Sequence, residues 1–509
     1  MLLIYLVGLF CGVNSALFYD SYTGTEITRE DVKKHDKANT TFWCVNEIEP
    51  CNPTEGRRVD GSCNNLKHPT RGAMHTPFIR LLPATFDKNF EPRKSSSGND
   101  LPLARYLRTR LISVGKVPST IFTMLAVHYF VFMSADVVSL HDTVNYILWK
   151  PYCCTEKGKT DYMCVPNKIP EDDPVHRFSG IRCLNMTRPE SFQSIGCVKN
   201  DTVPERIISS TPLLDLSAIY GNLLPPLLQK GRLFTGGLVK TEIEEGRIWP
   251  PSYKTQANVC YLNQRPKETR WHEMPEDGSN TLGGVNLVSI WFWRYHNFIA
   301  KELAKVNPCW DDDKLFETAR DINIAVSLQI YYYELLPVFF GSYQRVTDLV
   351  TNDLSKNRYF GFQPYVNYRQ FCFNTPIKSF GDLHGIIDEE RIEVLREVYE
   401  KVEDIDLLAG IWTEKPIRGG FVPPTYWYER PNRPNAFTSP QLAQIRKITI
   451  ARMLCDIGDT VKIIQPHAFL KAGHKNPMCD CKHIISMDFS AWRDDSCGAG
   501  GGFFDHLFE

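Results

Sequence analysis

The sequence predicts a mainly α-helical fold, formed by one large helical domain with few short strands. Apolar residues recur at three- and four-residue steps over residues 314–337, 389–402 and 438–455, which is the period of a helix with one buried face. No strand-rich stretch competes with these segments. The 509 residues can bury a large core. Because the chain shows no internal repeat and no low-complexity linker, one large domain is favoured over several small ones.

Each of the three segments has its own helix boundaries. In the first segment, the apolar face is formed by Leu315, Ala319, Ile322, Val326, Ile330 and Tyr333. Its end is predicted at Pro337, because proline disrupts a continuing helix. The second segment carries its charges on the face opposite the apolar one. The third begins with Thr438 or Ser439 as a capping residue and with a proline in the first turn.

The first residues of the chain predict secretion. Residues 1–15 form an apolar run that is too short to span a bilayer, and Val13 and Ser15 are small residues suited to signal-peptide cleavage. No later apolar run is long enough to cross a membrane. The expected location is therefore secreted, or extracellular, with a signal peptide over 1–15 and no transmembrane segment.

The cysteines fit an oxidising compartment. Of the sixteen cysteines, Cys11 lies in the signal peptide, which leaves fifteen, and disulfides are expected although their pairing cannot be deduced. The odd number predicts a free thiol or an intermolecular bridge. Sequons at Asn39, Asn185 and Asn200 predict a glycoprotein.

Charge and motif content exclude several classes of protein. Lys and Arg number 58 and Asp and Glu 59, so the net charge is −1 and no overall field favours nucleic acid or an anionic membrane. The chain lacks the GxSxG motif of α/β-hydrolases and the HExxH motif of zinc proteases. Cys479 and Cys481 with His483 have a weakly metal-like spacing, which in a secreted protein indicates a local disulfide element. We therefore expect neither a nucleic-acid partner nor a zinc centre.

His296 lies in the apolar stretch WFWRYHNFIAKEL, residues 291–303. In a helix, Phe292 lies one turn before it and Ile299 one turn after, so the imidazole emerges from an apolar wall. Such a wall could hold a porphyrin, with the histidine as axial ligand of the haem iron. A hydrogen-bonded core histidine fits the same pattern, and periodicity alone leaves both interpretations open.

The order of motifs along the chain resembles the animal haem peroxidases, the family of myeloperoxidase, thyroid peroxidase, peroxinectin and chorion peroxidase. The resemblance is carried by RRVDGSCNNLKHPTRGAMHTPFIRLLP, LPLARYLRTRLIS, TPLLDLSAIYGN, ETRWHEMPE, WRYHNFIAKELAKVNPCWDDDKLFETARDI, YVNYRQFC, EDIDLLAGIWTEKP and FTSPQLAQIRKITIARMLCD. It implies a single large helical domain of the animal haem peroxidase type over 57–470. A Cys-containing segment over 16–56 precedes this domain, and a Cys- and Gly-containing segment over 471–509 follows it.

The resemblance also implies a haem site. His296 matches the proximal iron ligand of a b-type haem. Arg270 matches the distal-side arginine, whose fixed charge stabilises the oxygen that departs when peroxide splits. Glu273 matches the carboxylate that can ester-link the haem. Met274 occupies the position that in myeloperoxidase makes a further haem bond.

A calcium site is implied in the same way. The matching positions are Asp136 and, in the TPLLDLS stretch, Thr211, Leu213, Asp215 and Ser217. A hard cation prefers oxygen ligands of this sort, and Leu213 can contribute only its carbonyl. A strand or turn with alternating polar residues would give the same pattern.

The distal helix departs from the family. Aligned without gaps, residues 122–138 put Val131 at the glutamine, Ser134 at the haem-linking aspartate and Ala135 at the distal histidine. His128 or His141 could replace that histidine only if the helix were shifted or contained an insertion. A general acid–base group contributes about a hundredfold to ten-thousandfold, so impaired turnover is expected.

The chain is also shortened near 343–364 and near 425–427. The first interval contains, in the family, the asparagine that orients the proximal histidine, and Asn357 is the candidate substitute. Evolved trimming, an alternative transcript or an incomplete gene model would each shorten the chain in this way.

Three functional hypotheses follow. The first is a secreted peroxidase that uses hydrogen peroxide to oxidise small phenolic or protein tyrosine donors. The second is a catalytically inactive secreted binding or adhesion protein, with an extracellular-matrix or cell-surface partner. The third is an incomplete product that does not fold stably.

Overall fold

The computed structural model describes residues 48–497 except 53–54, 67–68, 71, 79, 81, 113–120, 138–151, 196–200, 254–269, 281–282, 337–348, 416–436 and 458–459. The predicted signal peptide, the sequons at Asn39 and Asn200, His141 and the second shortened interval lie outside the described residues.

Helices dominate the described chain, which confirms the predicted fold class. They are α1 Ala104–Leu111, α2 Met124–Val137, α3 Ser217–Tyr220, α4 Leu224–Pro226, α5 Gly283–Val306, α6 Asp312–Gln329, α7 Leu349–Tyr359, α8 Tyr365–Phe373, α9 Glu389–Val398, α10 Leu407–Thr413, α11 Ser439–Ile445 and α12 Ile450–Asp456. Two π-helical turns, Leu227–Gly231 and Ile330–Leu335, extend α4 and α6.

Strands are few and short in the described residues. Three antiparallel pairs join β1 Asn167–Lys168 to β2 Cys183–Leu184, β3 Glu242–Glu244 to β4 Arg247–Trp249, and β5 Ile463–Ile464 to β6 Cys479–Asp480. The described residues also contain single 3-10 turns at Lys88–Phe90, Tyr152–Cys154, Gly158–Thr160, Asp277–Asn280, Phe380–Leu383, Val402–Asp404, Cys481–His483 and Phe489–Trp492.

The long helix α5 forms the centre of the larger apolar core. It packs against α2 and α6, and its middle is buried on nearly every side, which fits its largely apolar sequence. The α6 helix begins where the Asp311 side chain accepts a hydrogen bond of 2.8 Å from the Lys314 backbone N–H. A second apolar core lies between α1 and helices α7 to α10. His296 therefore lies in the larger core.

Two of the three predicted helices are present, and the third is divided. The 314–337 segment forms α6 and its π turn, and the predicted end at Pro337 lies outside the described residues. The 389–402 segment forms α9, which ends earlier than predicted, at Val398, because the backbone at Tyr399 is extended. The prediction of one helix over 438–455 is wrong, because the chain forms α11 and α12 there instead. The Thr449 side chain accepts a hydrogen bond from the Arg452 backbone N–H, so it starts a new helix.

Disulfides are present, as the cysteine content predicted. They join Cys51–Cys63, Cys153–Cys164, Cys154–Cys183, Cys309–Cys497 and Cys455–Cys481. Cys481 is thus in a disulfide, but Cys479 is a free thiol, as is Cys372. In the part of the chain that the structure describes, no helix is both long and apolar enough to cross a membrane.

Candidate functional site

Helix α5 holds His296 in the middle of the core. The side chain is 0% exposed, and the Phe316 ring centroid lies 4.9 Å from the imidazole centroid. Nδ1 lies 2.8 Å from the Tyr220 hydroxyl oxygen, and Nε2 lies 2.9 Å from the Gly237 carbonyl oxygen. Burial, with the positive charges of Arg320 and Arg232, lowers the pKa of His296 to about 4. The imidazole is therefore neutral at physiological pH.

This arrangement of His296 does not fit an axial iron ligand. A carbonyl oxygen only accepts, so Nε2 carries the single proton of the neutral ring. The lone pair on Nδ1 is engaged by the Tyr220 hydroxyl. Neither nitrogen offers a lone pair to a metal. Iron ligation by His296 stays a prediction of the resemblance.

Gly237 reaches His296 from a segment that runs along α5. Residues 232–240, which we call the strap, precede β3. The Gly237 backbone N–H donates to the Asp312 carboxylate at 2.7 Å. The strap is also held at Val239, whose N–H and carbonyl both bond the Asn297 side chain, at 2.8 and 3.0 Å. The Trp293 indole N–H donates to the Lys240 carbonyl at 2.8 Å.

Arg270 is paired with carboxylates of the β3–β4 hairpin. Its guanidinium forms ion pairs with Glu242 and Glu244, and it lies over the Trp249 ring, 5.3 Å from the centroid. Burial opposes ionisation of Glu242, but hydrogen bonds from Ser252 and the charge of Arg270 lower its pKa below the ordinary value. The positive charge of Arg270 therefore faces two carboxylates of the hairpin.

The other two predicted haem contacts lie close to Arg270 in the chain. Met274 is fully buried, and its sulfur accepts a hydrogen bond from the Ser279 hydroxyl at 3.4 Å. Glu273 is half-buried, and its backbone N–H donates to the Pro251 carbonyl at 2.7 Å. The haem bonds expected of these two residues stay predictions.

Helix α2 carries the positions that the resemblance assigns to the distal side. Ala135 is exposed, and Val131 and Ser134 are half-buried. The Ser134 hydroxyl donates to the Phe130 carbonyl at 2.8 Å, so it is turned back onto its own helix. His128 packs against Gly284 at the start of α5. Gly284 precedes His296 by twelve residues, which is about 18 Å along the helix axis.

Four of the five predicted calcium ligands lie in one buried cluster. The Asp136 carboxylate accepts hydrogen bonds from the Ser217 hydroxyl at 2.6 Å and the Leu216 N–H at 3.0 Å. The Thr211 hydroxyl donates to Asp215. Within the described residues, Asp215 Oδ2 has no hydrogen-bond partner. The fifth predicted ligand, Leu213, is half-buried in the same loop.

The two carboxylates of this cluster repel one another. Burial and the neighbouring Asp215 charge raise the pKa of Asp136 to about 7, and burial raises the pKa of Asp215. The loop that brings them together has left-handed backbone at Leu214 and Leu216, with φ of 52° and 59°. Buried oxygen donors, an unpartnered carboxylate oxygen and mutual repulsion fit a calcium ion.

Sequence reasoning missed the groups that hold His296 and Arg270. Asn357, the candidate substitute for the orienting asparagine, accepts a hydrogen bond of 3.1 Å from the Leu408 N–H and so belongs to the second core. Tyr220 contacts His296 instead. Its position in TPLLDLSAIYGN was the available signal, but nothing in that motif indicates a contact with a helix that begins more than sixty residues later.

The mainly helical fold and the buried Asp136 cluster are those expected from the resemblance to the haem peroxidases. A family model described as animal haem peroxidase matches residues 56–347 and 340–469, so the chain belongs to that family. The two matches overlap over residues 340–347, at the start of the first predicted shortened interval.

Curated relatives and solved structures agree with this assignment. The chain is 24% identical to a peroxidase of Drosophila melanogaster, over 89% of this chain and 84% of the relative. It is also 24% identical to the chorion peroxidase of Aedes aegypti, over 88% and 73% of the two chains. Peroxidase A from Dictyostelium discoideum has a TM-score of 0.59 at 18% identity, covering 82% of this chain and all of that one. This structural likeness concerns the fold.

Proposed function

We propose that this chain is an extracellular member of the animal haem peroxidase family whose peroxide turnover is strongly reduced or lost. The substrates expected of an active member are hydrogen peroxide and phenolic or tyrosine-type donors. An inactive member would serve as a binding or adhesion protein, with a matrix or cell-surface protein as partner. Mouse peroxidasin homolog is among the relatives, at 24% identity over 88% of this chain and 40% of that one.

The contact between Asp136 and the 211–217 loop carries the proposal. Its hydrogen bonds to Ser217 and Leu216 support the gapless register of α2, in which Asp136 matches the calcium aspartate. In that register the distal-base position is Ala135. A methyl group can neither accept nor donate a proton, so the residue at this position cannot assist cleavage of peroxide.

The pairing of Arg270 gives independent support. A guanidinium stabilises a departing oxygen only if its N–H groups and charge face that oxygen. Here the charge is shared with Glu242 and Glu244, and these carboxylates weaken its attraction for any other anion.

The calcium cluster supports retention of a stable fold. Calcium would bind between Asp136 and Asp215, with oxygens from Thr211 and Ser217, and would relieve the repulsion of the two carboxylates. A family member that has lost turnover could in this way keep an ordered scaffold for binding.

The test is peroxide-dependent oxidation of a phenolic donor by the purified secreted protein with haem supplied. We expect a rate at least about a hundredfold below that of the Drosophila relative assayed beside it, since a lost acid–base group costs that much. A rate within about tenfold of the relative would refute the proposal.

Two variants separate the causes of a low rate. Ala135→His restores a proton-transferring group, and Met124→His places the same residue at another exposed position of α2 as a control. A rise in Ala135→His alone would assign the loss to the missing base. No rise in either would assign it to the groups that hold Arg270 and His296.

A further inference from the structure

A buried chain of hydrogen bonds runs through His296 and uses both of its ring nitrogens. The Asn323 amide nitrogen lies 2.9 Å from the Tyr220 hydroxyl oxygen, which lies 2.8 Å from Nδ1. Nε2 lies 2.9 Å from the Gly237 carbonyl oxygen. The three side chains are each at most 1% exposed. The chain links α6, α3, α5 and the strap through the interior of the larger core.

The proton positions along this chain follow from the chemistry of its groups. Because the Gly237 carbonyl only accepts, Nε2 is the donor there. Nδ1 of the same neutral ring must then accept, so the Tyr220 hydroxyl donates to it. The Asn323 amide donates to the Tyr220 oxygen and also to the Phe292 carbonyl at 3.0 Å. Every donor in the chain therefore meets an acceptor.

The carbonyl that binds Nε2 cannot move away by itself. Gly237 is fixed through its N–H by Asp312, and the strap residues that follow it are bonded to Asn297 and Trp293 of the same helix that carries His296. Freeing Nε2 would require these bonds to break together. A buried network in which every donor meets an acceptor favours one arrangement. Within the described residues, the Asn323 side-chain oxygen is the one atom of this network without a partner.

We infer that His296 is a structural histidine in this chain, held as the Nε2-protonated tautomer with Tyr220 and Asn323 as its positioning residues, and that it does not ligate iron. The inference rests on the geometry of His296 and not on the proposed loss of turnover. Of the two interpretations of the WFWRYHNFIAKEL stretch, a haem ligand and a hydrogen-bonded core histidine, the inference favours the core histidine.

Solid-state ¹⁵N NMR of the full-length protein labelled at histidine reads the tautomer directly. We expect one buried histidine with the proton on Nε2 alone. Its Nδ1 signal should shift in Tyr220→Phe, which removes the donor to that nitrogen. Tyr295→Phe is the matched control: Tyr295 is also buried, and its hydroxyl has no hydrogen-bond partner within the described residues. A proton on Nδ1, or equal effects of the two variants, would overturn the inference.

Thermal unfolding without added haem tests the structural role. Tyr220→Phe leaves two buried polar partners unsatisfied, so its melting temperature should fall by several degrees. Tyr295→Phe should stay within about 1 °C of the wild type, because no bond is lost. Equal melting temperatures for the two variants would contradict a positioning role for Tyr220.

A haem titration followed by absorption completes the test. We expect that no haem band of the wild type depends on His296, so the absorption spectra of the wild type and His296→Gln after haem addition should be the same. Uptake of one haem per chain with a band that His296→Gln abolishes would overturn the inference. If that variant does not fold, the NMR comparison of Tyr220→Phe with Tyr295→Phe still decides. Haem bound through His296 together with low turnover would refute this inference and leave the proposed function intact.

Discussion

The Asp136 carboxylate accepts a 2.6 Å hydrogen bond from the Ser217 hydroxyl, which joins α2 to a loop 81 residues later in the chain. The same carboxylate accepts from the Leu216 N–H, at the start of α3. The 211–217 loop is thereby fixed against α2, and Tyr220, at the end of α3, contacts His296. The candidate calcium cluster and the environment of His296 are thus parts of one continuous buried structure.

Calcium is expected to stabilise the protein through this cluster. Saturating calcium at about a hundredfold above its dissociation constant should add about 2.7 kcal/mol to the free energy of unfolding, and a chelator should remove that gain. The measurement is the melting temperature with calcium and with chelator.

The variant Asp215→Asn should abolish the calcium effect, because it removes a negative charge from the cluster. Asp480→Asn, at a carboxylate outside the cluster, should keep the full effect. A calcium effect that survives in Asp215→Asn would show that the ion binds elsewhere.

Glu334 should make stability depend on pH. Burial raises its pKa from the ordinary 4.5 to about 8, although the Ile450 N–H, 2.8 Å away, favours the charged form. The folded state therefore keeps a proton that the unfolded state loses, so the contribution of Glu334 to stability is greatest below pH 4.5 and falls as the pH rises toward 8. Glu334→Gln keeps an acceptor for Ile450 and should remove this fall, gaining at least about 1 kcal/mol at pH 8.

Urea unfolding at pH 5 and pH 8 measures this contribution. The exposed Glu403 provides the control, because Glu403→Gln should leave the pH dependence unchanged. A pH dependence that is the same in Glu334→Gln and the wild type would mean that another group causes it.

The sequence predicted the features of the fold and the candidate site that depend on local pattern and on family motifs. Periodicity located α6 and α9, and the resemblance grouped Asp136 with Asp215 although 79 positions separate them (215 minus 136). Neither periodicity nor the resemblance could predict contacts made by backbone groups from distant segments of the chain. The Gly237 carbonyl carries no side-chain signal. The break between α11 and α12 was missed because Thr449 lies within an unbroken apolar period and acts through a backbone bond.

The ion pair between Arg105 and Asp173 should be a major stabilising contact of α1. Both side chains are 1% exposed, and the two hydrogen bonds are 2.6 and 2.9 Å long. Burial opposes ionisation of Asp173, but the bonds from Arg105 and from the His176 and Val175 N–H groups lower its pKa well below the ordinary value. Its contribution is thus present above about pH 4 and is lost as the pH falls through the folded-state pKa.

Asp173→Asn should cost about 3–5 kcal/mol at pH 7, because it leaves a buried guanidinium without its counterion. The exposed pair of Arg396 and Glu393 gives the comparison, and Glu393→Gln should change stability by less than about 1 kcal/mol. Urea unfolding of both variants measures the difference. Equal losses would mean that burial adds nothing to the Arg105 pair.

Gly237→Ala should destabilise the core around His296 more than a change of backbone preference alone would. Gly237 has φ of +68°, and an added Cβ would lie 2.5 Å from Leu315 Cβ and 2.7 Å from the Phe316 nitrogen. Gly246, in the β3–β4 turn, has φ of +73° with no atom within 4 Å of an added Cβ, so Gly246→Ala measures the backbone cost by itself. We expect about 1 kcal/mol for Gly246→Ala and at least about 3 kcal/mol for Gly237→Ala by urea unfolding. The excess would reflect displacement of the strap from α6, and similar losses in both variants would show that the strap adapts without strain.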